Sequence, residues 1–555
     1  MDQVEPIIPG FAPDPSVIRI EDTYFLVNSS FHLFPGLPIF ASTDLSSWKH
    51  IGNALNRPSQ MQLANSSTLL HNIDVGLQNK FVSAEGQALA YVSAVPKGDQ
   101  VPAEDRIVGT GGLYAATLRH HKGRTYIVCT NAQHVPETRD GEEKLCVEFH
   151  NFILFTDDIW SDKWSDPIYF DFWGIDPDLF FDEDGRAYVS GCSWHSEPSV
   201  IGCFEIDIAT GKKLTPERCI WEGFSKITPE GPHIYKRSGW YYLMTAEGTT
   251  FEGHMLAMAR SRNIWGPYEE CPHNPILRPR PGKPQHTYIQ NNGHGELFED
   301  IEGHWWLAYL AVRKDRDGRC GLGRETFLTP VSWPSGEVWP EIGQPTHPKS
   351  NSSAANNPLL LVDPKVDFVW IRDPEPSAYE ICDDGKEVTV LASRTDLSDC
   401  YAGPVSFVGK RQRALCGHAS VLLRSCPQSV SAGIAYYKDE HRYARVYYSS
   451  EASEIVFEAK NDARRPTSST ITRAPVRGVP ETASNIRFRV TYSEQSLNFQ
   501  YKVEQDSSGW VSAGIADTLD FTDRDFTGPC IGVFATRQAA LHDTRSKCSF
   551  SDVEL

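Results

Sequence analysis

The stretch that decides the predicted fold is Glu230-Gly-Pro-His-Ile-Tyr-Lys-Arg237, followed by Ser238-Gly239 and then by Trp240-Tyr-Tyr-Leu-Met244. Two apolar and aromatic runs are separated by a short polar turn that contains glycine, which is the pattern of a β-hairpin. One carboxylate, that of Glu230, stands at the entrance of the first run. The stretch therefore predicts a hairpin whose first strand begins with an ionisable side chain.

The same unit occurs four more times along the chain. The other copies begin at Asp14, Tyr114, Asp176 and His294, and each consists of an apolar run, a polar turn and a second apolar run. Units that recur at intervals of roughly 50 to 100 residues are typical of a radially repeated β architecture. Helical periodicity is almost absent, so we predict an all-β chain that starts with a five-bladed β-propeller.

The first residue of each unit should lie at the centre of the propeller. The innermost strand of every blade lines the central axis, so Asp14, Tyr114, Asp176, Glu230 and His294 are expected to face one funnel. An Asp-Pro pair by itself is a common turn opener, but Asp14 and Asp176 share their register with Glu230. Carboxylates that lie close together shift one another's pKa, as general acid-base chemistry requires. We therefore predict a catalytic funnel.

The composition of the C-terminal part changes after a polar, proline-bearing segment. We predict a propeller over residues 1–345, a linker over 346–358 and a β-sandwich over 359–555, because short alternating runs separated by turns fill the last part. No cluster of acids stands out in the sandwich. A structural or carbohydrate-contacting module is the expected role.

Charge and cysteine content narrow the class of partner. The chain has 555 residues and a net charge of −19, which argues against nucleic acid and anionic membranes as partners. It contains no apolar run of about 18 residues, so no membrane span is predicted. The 13 cysteines form no CxxC pair and the N-terminus lacks an apolar signal core. These features favour an intracellular, reduced protein.

Six motifs together resemble one family of enzymes. They are Gly10-Phe-Ala-Pro-Asp14-Pro-Ser, Phe34-Pro35-Gly36, Ile175-Asp176-Pro177, Thr228-Pro-Glu230-Gly-Pro-His-Ile-Tyr, Asn292-Gly-His294-Gly and Gly323-Arg324-Glu-Thr. The sequence with these motifs resembles glycoside hydrolase family 43, the β-xylosidases and α-L-arabinofuranosidases, over nearly its whole length. In addition, Phe407-Val-Gly-Lys-Arg411-Gln412 resembles the C-terminal, concanavalin A-like sandwich of the β-xylosidase branch.

The resemblance implies an exo-acting hydrolase that releases terminal pentose from hemicellulose-derived oligosaccharides or polysaccharides with inversion. Asp14 would be the general base that activates water, and Glu230 would be the general acid. Asp176 would hold the acid in position and raise its pKa. Inversion places base and acid roughly 6.5–9.5 Å apart, which opposite sides of a funnel can provide.

The resemblance also implies the substrate contacts. Arg324 would bind sugar hydroxyls, His294 would lie at the bottom of the funnel, and Phe34 and Tyr114 would contact the sugar, Tyr114 standing where the family usually has tryptophan. No cofactor is required. Some family members hold a divalent cation, often calcium, beside this histidine, so a structural Ca²⁺ in the propeller centre is an open alternative. The family also includes secreted proteins, which leaves the location open.

Two other functions are weighed against the pentosidase. A retaining, fructosyl-type propeller hydrolase would need a motif of the type N-D-P-N, which Pro13-Asp14-Pro15-Ser16 does not match. A non-catalytic sugar-binding propeller should lack at least one of the three acids, and all three are present. The sequence does not separate a xyloside from an arabinofuranoside, because sugars of similar volume differ by only about 1–3 kcal/mol in such a pocket.

Overall fold

The structure is a computed structural model that describes residues 5–72, 106–139, 142–196, 198–278, 288–343, 363–399, 403–463, 470–475, 485–504, 509–537 and 546–555. Regular structure in these ranges consists of β-strands and two 3₁₀-helices, Pro376–Ala378 and Thr518–Phe521. The all-β prediction is confirmed for this part of the chain. Neither of these helices is long and apolar enough to cross a membrane.

Across the described residues, the N-terminal part contains 24 strands. The first seven are β1 Ser16–Ile20, β2 Thr23–Val27, β3 Leu33–Phe34, β4 Gly36–Ser42, β5 Lys49–Leu55, β6 Thr68–Asn72 and β7 Arg106–Thr110. The next nine are β8 Gly112–His121, β9 Arg124–Arg139, β10 Glu142–Thr156, β11 Ile168–Phe170, β12 Gly174–Phe181, β13 Ala187–Ser193, β14 Val200–Asp207, β15 Lys212–Lys213 and β16 Arg218–Trp221. The last eight are β17 Glu230–Arg237, β18 Trp240–Glu247, β19 Met255–Ser261, β20 Glu269–Glu270, β21 Ile289–Glu299, β22 Trp305–Arg313, β23 Arg324–Ser332 and β24 Glu341–Ile342.

Most of these strands form five antiparallel sheets that each correspond to one predicted hairpin unit. The strand orders are β1-β2-β4-β5, β8-β9-β10-β11, β12-β13-β14-β15, β17-β18-β19-β20 and β21-β22-β23-β24, with β16 also pairing with β14. The innermost strands β1, β8, β12, β17 and β21 contact one another in a closed ring. The N-terminal segment completes the ring, since Ile8 pairs with Thr326 of the last sheet. The propeller-type fold is therefore confirmed.

The hairpin of β17 and β18 illustrates why the sequence forms these sheets. Arg237 pairs with Trp240, so the turn has two residues, Ser238 and Gly239. Their φ angles of 49° and 73° are both positive, as a type I′ turn requires, and glycine adopts this conformation without steric cost. Buried side chains of β18, such as Met244, pack against those of the next sheet, such as Tyr309.

In the C-terminal part, the ranges that the structure describes contain 15 further strands. They are β25 Phe368–Ile371, β26 Tyr379–Ile381, β27 Val388–Leu391, β28 Phe407–Arg411, β29 Gly417–Ser425, β30 Val430–Asp439, β31 Arg442–Ser449, β32 Glu454–Asn461, β33 Thr470–Pro475, β34 Ile486–Tyr492, β35 Ser496–Val503, β36 Val511–Asp517, β37 Arg524–Asp525, β38 Cys530–Arg537 and β39 Lys547–Glu554. Two large sheets, β3-β25-β28-β38-β30-β31-β32-β33 and β26-β27-β39-β29-β34-β35-β36, enclose one apolar core. The predicted β-sandwich is confirmed.

The two domains share sheets. Strand β3 lies between β2 and β4 in the sequence but does not join their sheet. It pairs instead with β25 at the edge of the larger sandwich sheet. Strand β37 of the sandwich runs parallel to β7, which precedes the second blade. The sandwich therefore joins the propeller through backbone hydrogen bonds. The predicted linker at 346–358 lies outside the described residues, so the domain boundaries at 345 and 359 stay predictions.

Candidate active site

A cavity of about 90 Å³ opens at the centre of the propeller. Six of the seven predicted site residues line it, namely Asp14, Tyr114, Asp176, Glu230, His294 and Arg324. The structure adds Phe31, Ala115, Ile175, Thr250 and Phe526. The ring of inner strands thus brings five blades to one small chamber, and the sandwich contributes one wall.

Backbone irregularities aim the predicted side chains into this chamber. The ladder shifts register between Ile175 and Asp178 in β12, and between Glu230 and His233 in β17. A β-bulge of this kind redirects a side chain at the rim of a sheet. Asp14 and Asp176 also have left-handed φ angles of 51° and 55°, which aspartate adopts more readily than most residues.

Phe34 requires a correction, because it does not line the cavity. Its side chain is only 6% exposed and packs in the apolar core of the first two blades, and its backbone pairs with Trp370 of the sandwich. Phe31, three residues earlier, faces the cavity instead. Phe31 has a φ of 49° and forms a backbone bridge with Leu113, which turns this part of the chain toward the axis.

Asp14 is held as an ionised carboxylate. Its side chain is 5% exposed, accepts a hydrogen bond from Ser29 Oγ at 2.6 Å and lies 3.1 Å from Nη1 of Arg324. Asn28 Nδ2 donates to the carbonyl oxygens of Ala12 and Pro13 and so fixes the backbone in front of it. Burial alone would raise the pKa of Asp14, but the guanidinium of Arg324 and the Ser29 hydrogen bond lower it overall.

The surroundings of Glu230 favour its protonated form. Burial, together with the negative charges of Asp176 and Asp14, raises the pKa of Glu230 well above its ordinary value. Burial and the charge of Asp14 likewise raise the pKa of Asp176, to about 7. Asp176 Oδ2 accepts the backbone N–H of Gly231 at 3.2 Å, so it is anchored to the residue that follows Glu230.

Gly231 leaves room for the side chain of His294 to approach Asp14 and Asp176. It has a φ of 52°, and a Cβ built on it would lie 2.7 Å from Cε1 of His294. His294 Nδ1 is 3.8 Å from Oδ1 of Asp14 and 3.8 Å from Oδ2 of Asp176. Burial lowers the pKa of His294 to about 4, so its ring is neutral near pH 7. His294 therefore lies beside both carboxylates as a neutral polar group.

Three aromatic rings cover one side of the cavity. The ring centroid of Phe31 lies 5.1 Å from that of Tyr114 and 5.9 Å from that of Phe526. Phe526 belongs to the sandwich, and its carbonyl oxygen accepts hydrogen bonds from Nε and Nη2 of Arg324 at 3.3 and 3.0 Å. Arg324 thus connects the sandwich to Asp14.

Sequence reasoning missed Phe31, Thr250 and Phe526. Phe31 follows Ser29-Ser30, two polar residues directly after an apolar strand, and that break in the pattern is the only signal it carries. Phe526 lies about 200 residues after the last propeller motif, in a domain with no catalytic pattern of its own. The sandwich can be recognised from sequence, but its contact with the funnel depends on how the two domains pack.

Below the cavity the propeller axis is occupied by an internal ion cluster. Arg119 donates to Asp178 and Glu296 at 2.5 Å each, and Ser16 donates to the same Glu296. Asp178, whose side chain is buried, also accepts the backbone N–H of Ile234. Asp178 and Glu296 therefore form ion pairs with the guanidinium of Arg119 and do not line the cavity.

The described residues do not fit the calcium ion that the resemblance leaves open. Calcium takes six to eight oxygen ligands, and the described part of the chain has no group of three or more histidine, cysteine or acidic side chains arranged to hold a metal ion. His294 offers nitrogen, and the axial carboxylates Asp178 and Glu296 already bind Arg119. The possible Ca²⁺ site is otherwise untested, and no chemical step below depends on it.

Comparison with known proteins supports the same assignment over both domains. The model described as "Glycosyl hydrolases family 43" matches residues 4–70 and 90–339, and the "Beta xylosidase C-terminal Concanavalin A-like domain" matches residues 363–554. The "Non-reducing end alpha-L-arabinofuranosidase BoGH43B" of Bacteroides ovatus is 28% identical over 549 residues, which cover 96% of this chain and 90% of that protein.

Two further proteins match at full length. "Xylosidase/arabinosidase 43B" of Humicola insolens is 28% identical, with 99% of this chain and 97% of that protein covered. The crystal structure of the GH43 BlXynB protein from Bacillus licheniformis superposes with a TM-score of 0.75 at 25% identity, covering 99% of this chain and 98% of that one. The chain, with its three acids lining one propeller cavity, belongs to glycosyl hydrolase family 43 and is a glycoside hydrolase.

Proposed function

We propose that this enzyme releases single pentose residues, β-D-xylosyl or α-L-arabinofuranosyl, from the ends of hemicellulose chains with inversion at the anomeric carbon. Relatives named for arabinofuranosidase activity and for combined xylosidase and arabinosidase activity support both sugars. The relative of Vibrio is named "Xylan 1,3-beta-xylosidase". A xylan or arabinoxylan fragment is therefore the proposed substrate.

One observation carries the proposal: two carboxyl groups in one cavity have pKa values shifted in opposite directions. The pKa of Asp14 is lowered and that of Glu230 is raised. Environments that push two acids apart in this way assign one as base and the other as acid. Near neutral pH the cavity then holds an ionised Asp14 and a protonated Glu230, the pair that glycoside hydrolysis needs.

The proposed reaction uses these two groups in one step. Asp14 takes a proton from a water molecule, whose oxygen forms a bond to the anomeric carbon on the face opposite the leaving group. The glycosidic C–O bond breaks at the same time, and Glu230 gives its proton to the departing oxygen. Asp176 keeps Glu230 oriented and its pKa high. The free sugar has the opposite anomeric configuration, and solvent resets the two protons.

The size of the cavity favours exo action. At about 90 Å³ it is far smaller than the roughly 300–1,000 Å³ of a pocket for a drug-sized ligand. His294 is among its lining residues, and the Arg119 cluster lies further along the inner strands, outside that lining. A glycan chain has no exit on that side, so one terminal sugar can enter and the rest of the chain must stay outside.

An NMR time course on arabinoxylan oligosaccharides and on both aryl pentosides tests the proposal. We expect single pentose as the released sugar and, in the first spectra, the anomer opposite to that of the substrate. The Asp14→Asn variant serves as the matched control for contaminating hydrolases, because it keeps the shape of the site and is expected to lose activity on both kinds of substrate. Retention of configuration, or release of disaccharides from the chain end, would contradict the proposal.

A further inference from the structure

The segment that presents Phe526 to the cavity is held by buried charges of the sandwich. Lys438, which is 2% exposed, donates through Nζ to Asp525 Oδ2 at 2.6 Å and to the carbonyl oxygen of Phe521 at 2.8 Å. Arg442, which is fully buried, donates to the same Oδ2 of Asp525 and to Asp523 at 3.1 Å. Two cations thus converge on the carboxylate next to Phe526.

The same segment is fixed on its other sides by the propeller. Strand β37, Arg524–Asp525, pairs with β7, so that Arg524 lies opposite Ile107. The hydroxyl of Thr522 accepts the backbone N–H of Cys320, which precedes β23. The residues from 520 to 526 are therefore clamped between a charge cluster behind them and the blade that carries Arg324.

A continuous set of contacts leads from this cluster to the general base. Asp525 precedes Phe526, whose carbonyl oxygen accepts two hydrogen bonds from Arg324. Arg324 Nη1 then lies 3.1 Å from Oδ1 of Asp14. The guanidinium of Arg324 is the charge that does most to lower the pKa of Asp14. Displacement of Phe526 would therefore move Arg324 and change the charge environment of Asp14.

We infer that Lys438 and Arg442 are positioning residues for the active site, which act through Asp525 to hold Phe526 and Arg324 in place. The inference rests on the proposed roles of Asp14 and Glu230. A buried charge cluster is an inefficient way to stabilise a fold, because desolvation offsets much of the attraction between the charges. The cluster lies directly behind the segment that carries Phe526, so we attribute it to positioning of the active site rather than to stability of the fold.

The proposed test is Lys438→Met, a substitution of similar length that removes the charge. One of two cations on Asp525 is lost, so the segment should loosen and Arg324 should lose part of its anchor. We expect kcat/KM to fall roughly 10-fold, as expected for a lost charged hydrogen bond, chiefly through a higher KM. The acidic limb of the pH profile should move to higher pH, because the pKa of Asp14 rises. The alkaline limb does not serve as a control, because Arg324 also lowers the pKa of Glu230.

Arg445→Met is the matched control. Arg445 is buried in the same strand as Arg442 and binds Asp396 at 2.6 Å and Glu458 at 2.7 Å, away from the cavity. We expect this variant to lose stability without a change in KM or in the acidic limb. Asp525→Asn, which keeps the side-chain shape, provides a second route if Lys438→Met does not fold.

Hydrogen exchange of residues 518–527 supplies a readout that needs no substrate. It should accelerate in Lys438→Met and Asp525→Asn and stay unchanged in Arg445→Met. Folded Lys438→Met or Asp525→Asn with wild-type exchange, KM and acidic limb would overturn the inference, as would an equal shift of the limb in Arg445→Met. Failure of the proposed function is distinct from this, because it would appear in the wild-type enzyme as retention or as absence of pentose release.

Discussion

The carboxylate of Asp176 accepts the backbone N–H of Gly231, so a second acid is attached to the strand position directly after Glu230. Its charge is one of the causes of the raised pKa of Glu230. Asp176 therefore has two roles, which are to accept the N–H of Gly231 and to supply negative charge beside Glu230. The two can be separated, because an amide oxygen can also accept this N–H but carries no charge. Substitution by asparagine therefore isolates the electrostatic role.

In Asp176→Asn we expect the pKa of Glu230 to fall, because one neighbouring negative charge is gone. A group that must be protonated to act is lost as the pH rises through its pKa, so the alkaline limb of kcat/KM should move to lower pH by on the order of one unit. The pH profile on an aryl xyloside measures this shift. An unmoved alkaline limb would mean that Asp176 does not act on the acid through its charge.

Glu230→Gln should slow hydrolysis in proportion to the need of the leaving group for a proton. On a natural oligosaccharide, whose leaving alcohol is poor, we expect a loss of about 10²–10⁴-fold in kcat. On an aryl pentoside with a very acidic phenol the loss should be far smaller, and the alkaline limb should flatten. Equal losses on both substrates with an unchanged limb would assign the acid to another residue.

Asp14→Asn should behave differently, because water attack is required whichever group departs. We expect similar losses on the oligosaccharide and on the activated aryl pentoside. In the wild-type enzyme the lowered pKa of Asp14 keeps the base ionised in moderately acidic solution, so the acidic limb should lie below the ordinary titration range of aspartate. Steady-state kinetics on both substrates, with circular dichroism as a folding control, checks this. A much smaller loss on one substrate would contradict the role of base.

The repeated hairpins were predictable because each copy carries its own local signal. Alternating apolar runs and a turn such as Ser238-Gly239 specify a hairpin without reference to the rest of the chain. The convergence of Asp14, Asp176 and Glu230 followed from that repetition, since equivalent positions of a radial array face one axis. Their arrangement around one cavity is confirmed, whereas their individual roles stay predictions.

What sequence could not supply was the contact between domains. Phe31 and Phe34 lie in one short stretch and both are buried, but Phe31 lines the cavity whereas Phe34 lies in β3, which pairs with β25 of the sandwich. The bulges in β12 and β17 also leave no clear trace, because they depend on the partner strand. Phe526 enters the site only through the packing of the sandwich on the propeller, which no local pattern encodes.

The internal cluster on the propeller axis leads to a prediction about metals. Arg119 binds Asp178 and Glu296, so a cation is already provided by the chain itself. We expect activity and melting temperature to stay unchanged after dialysis against a chelator. Arg119→Met should instead lower the melting temperature strongly, because it leaves two buried carboxylates without their partner. A large loss of activity on chelation that calcium restores would establish a metal site.

The last prediction separates Phe526 from Phe34, two phenylalanines with different placements. Phe526→Ala removes one wall of the cavity and its aromatic contacts, which are worth about 0.5–1.5 kcal/mol each, so we expect mainly a higher KM and a modest change in stability. Phe34→Ala removes a core side chain between blades and sandwich, so we expect a loss of roughly 3–5 kcal/mol in the free energy of unfolding and a nearly unchanged KM in the folded fraction. Denaturant titration and steady-state kinetics on both variants measure the two effects separately. A raised KM with wild-type stability in Phe34→Ala would show that Phe34 does contact the substrate. An unchanged KM in Phe526→Ala would show that the sandwich does not contribute to the substrate site.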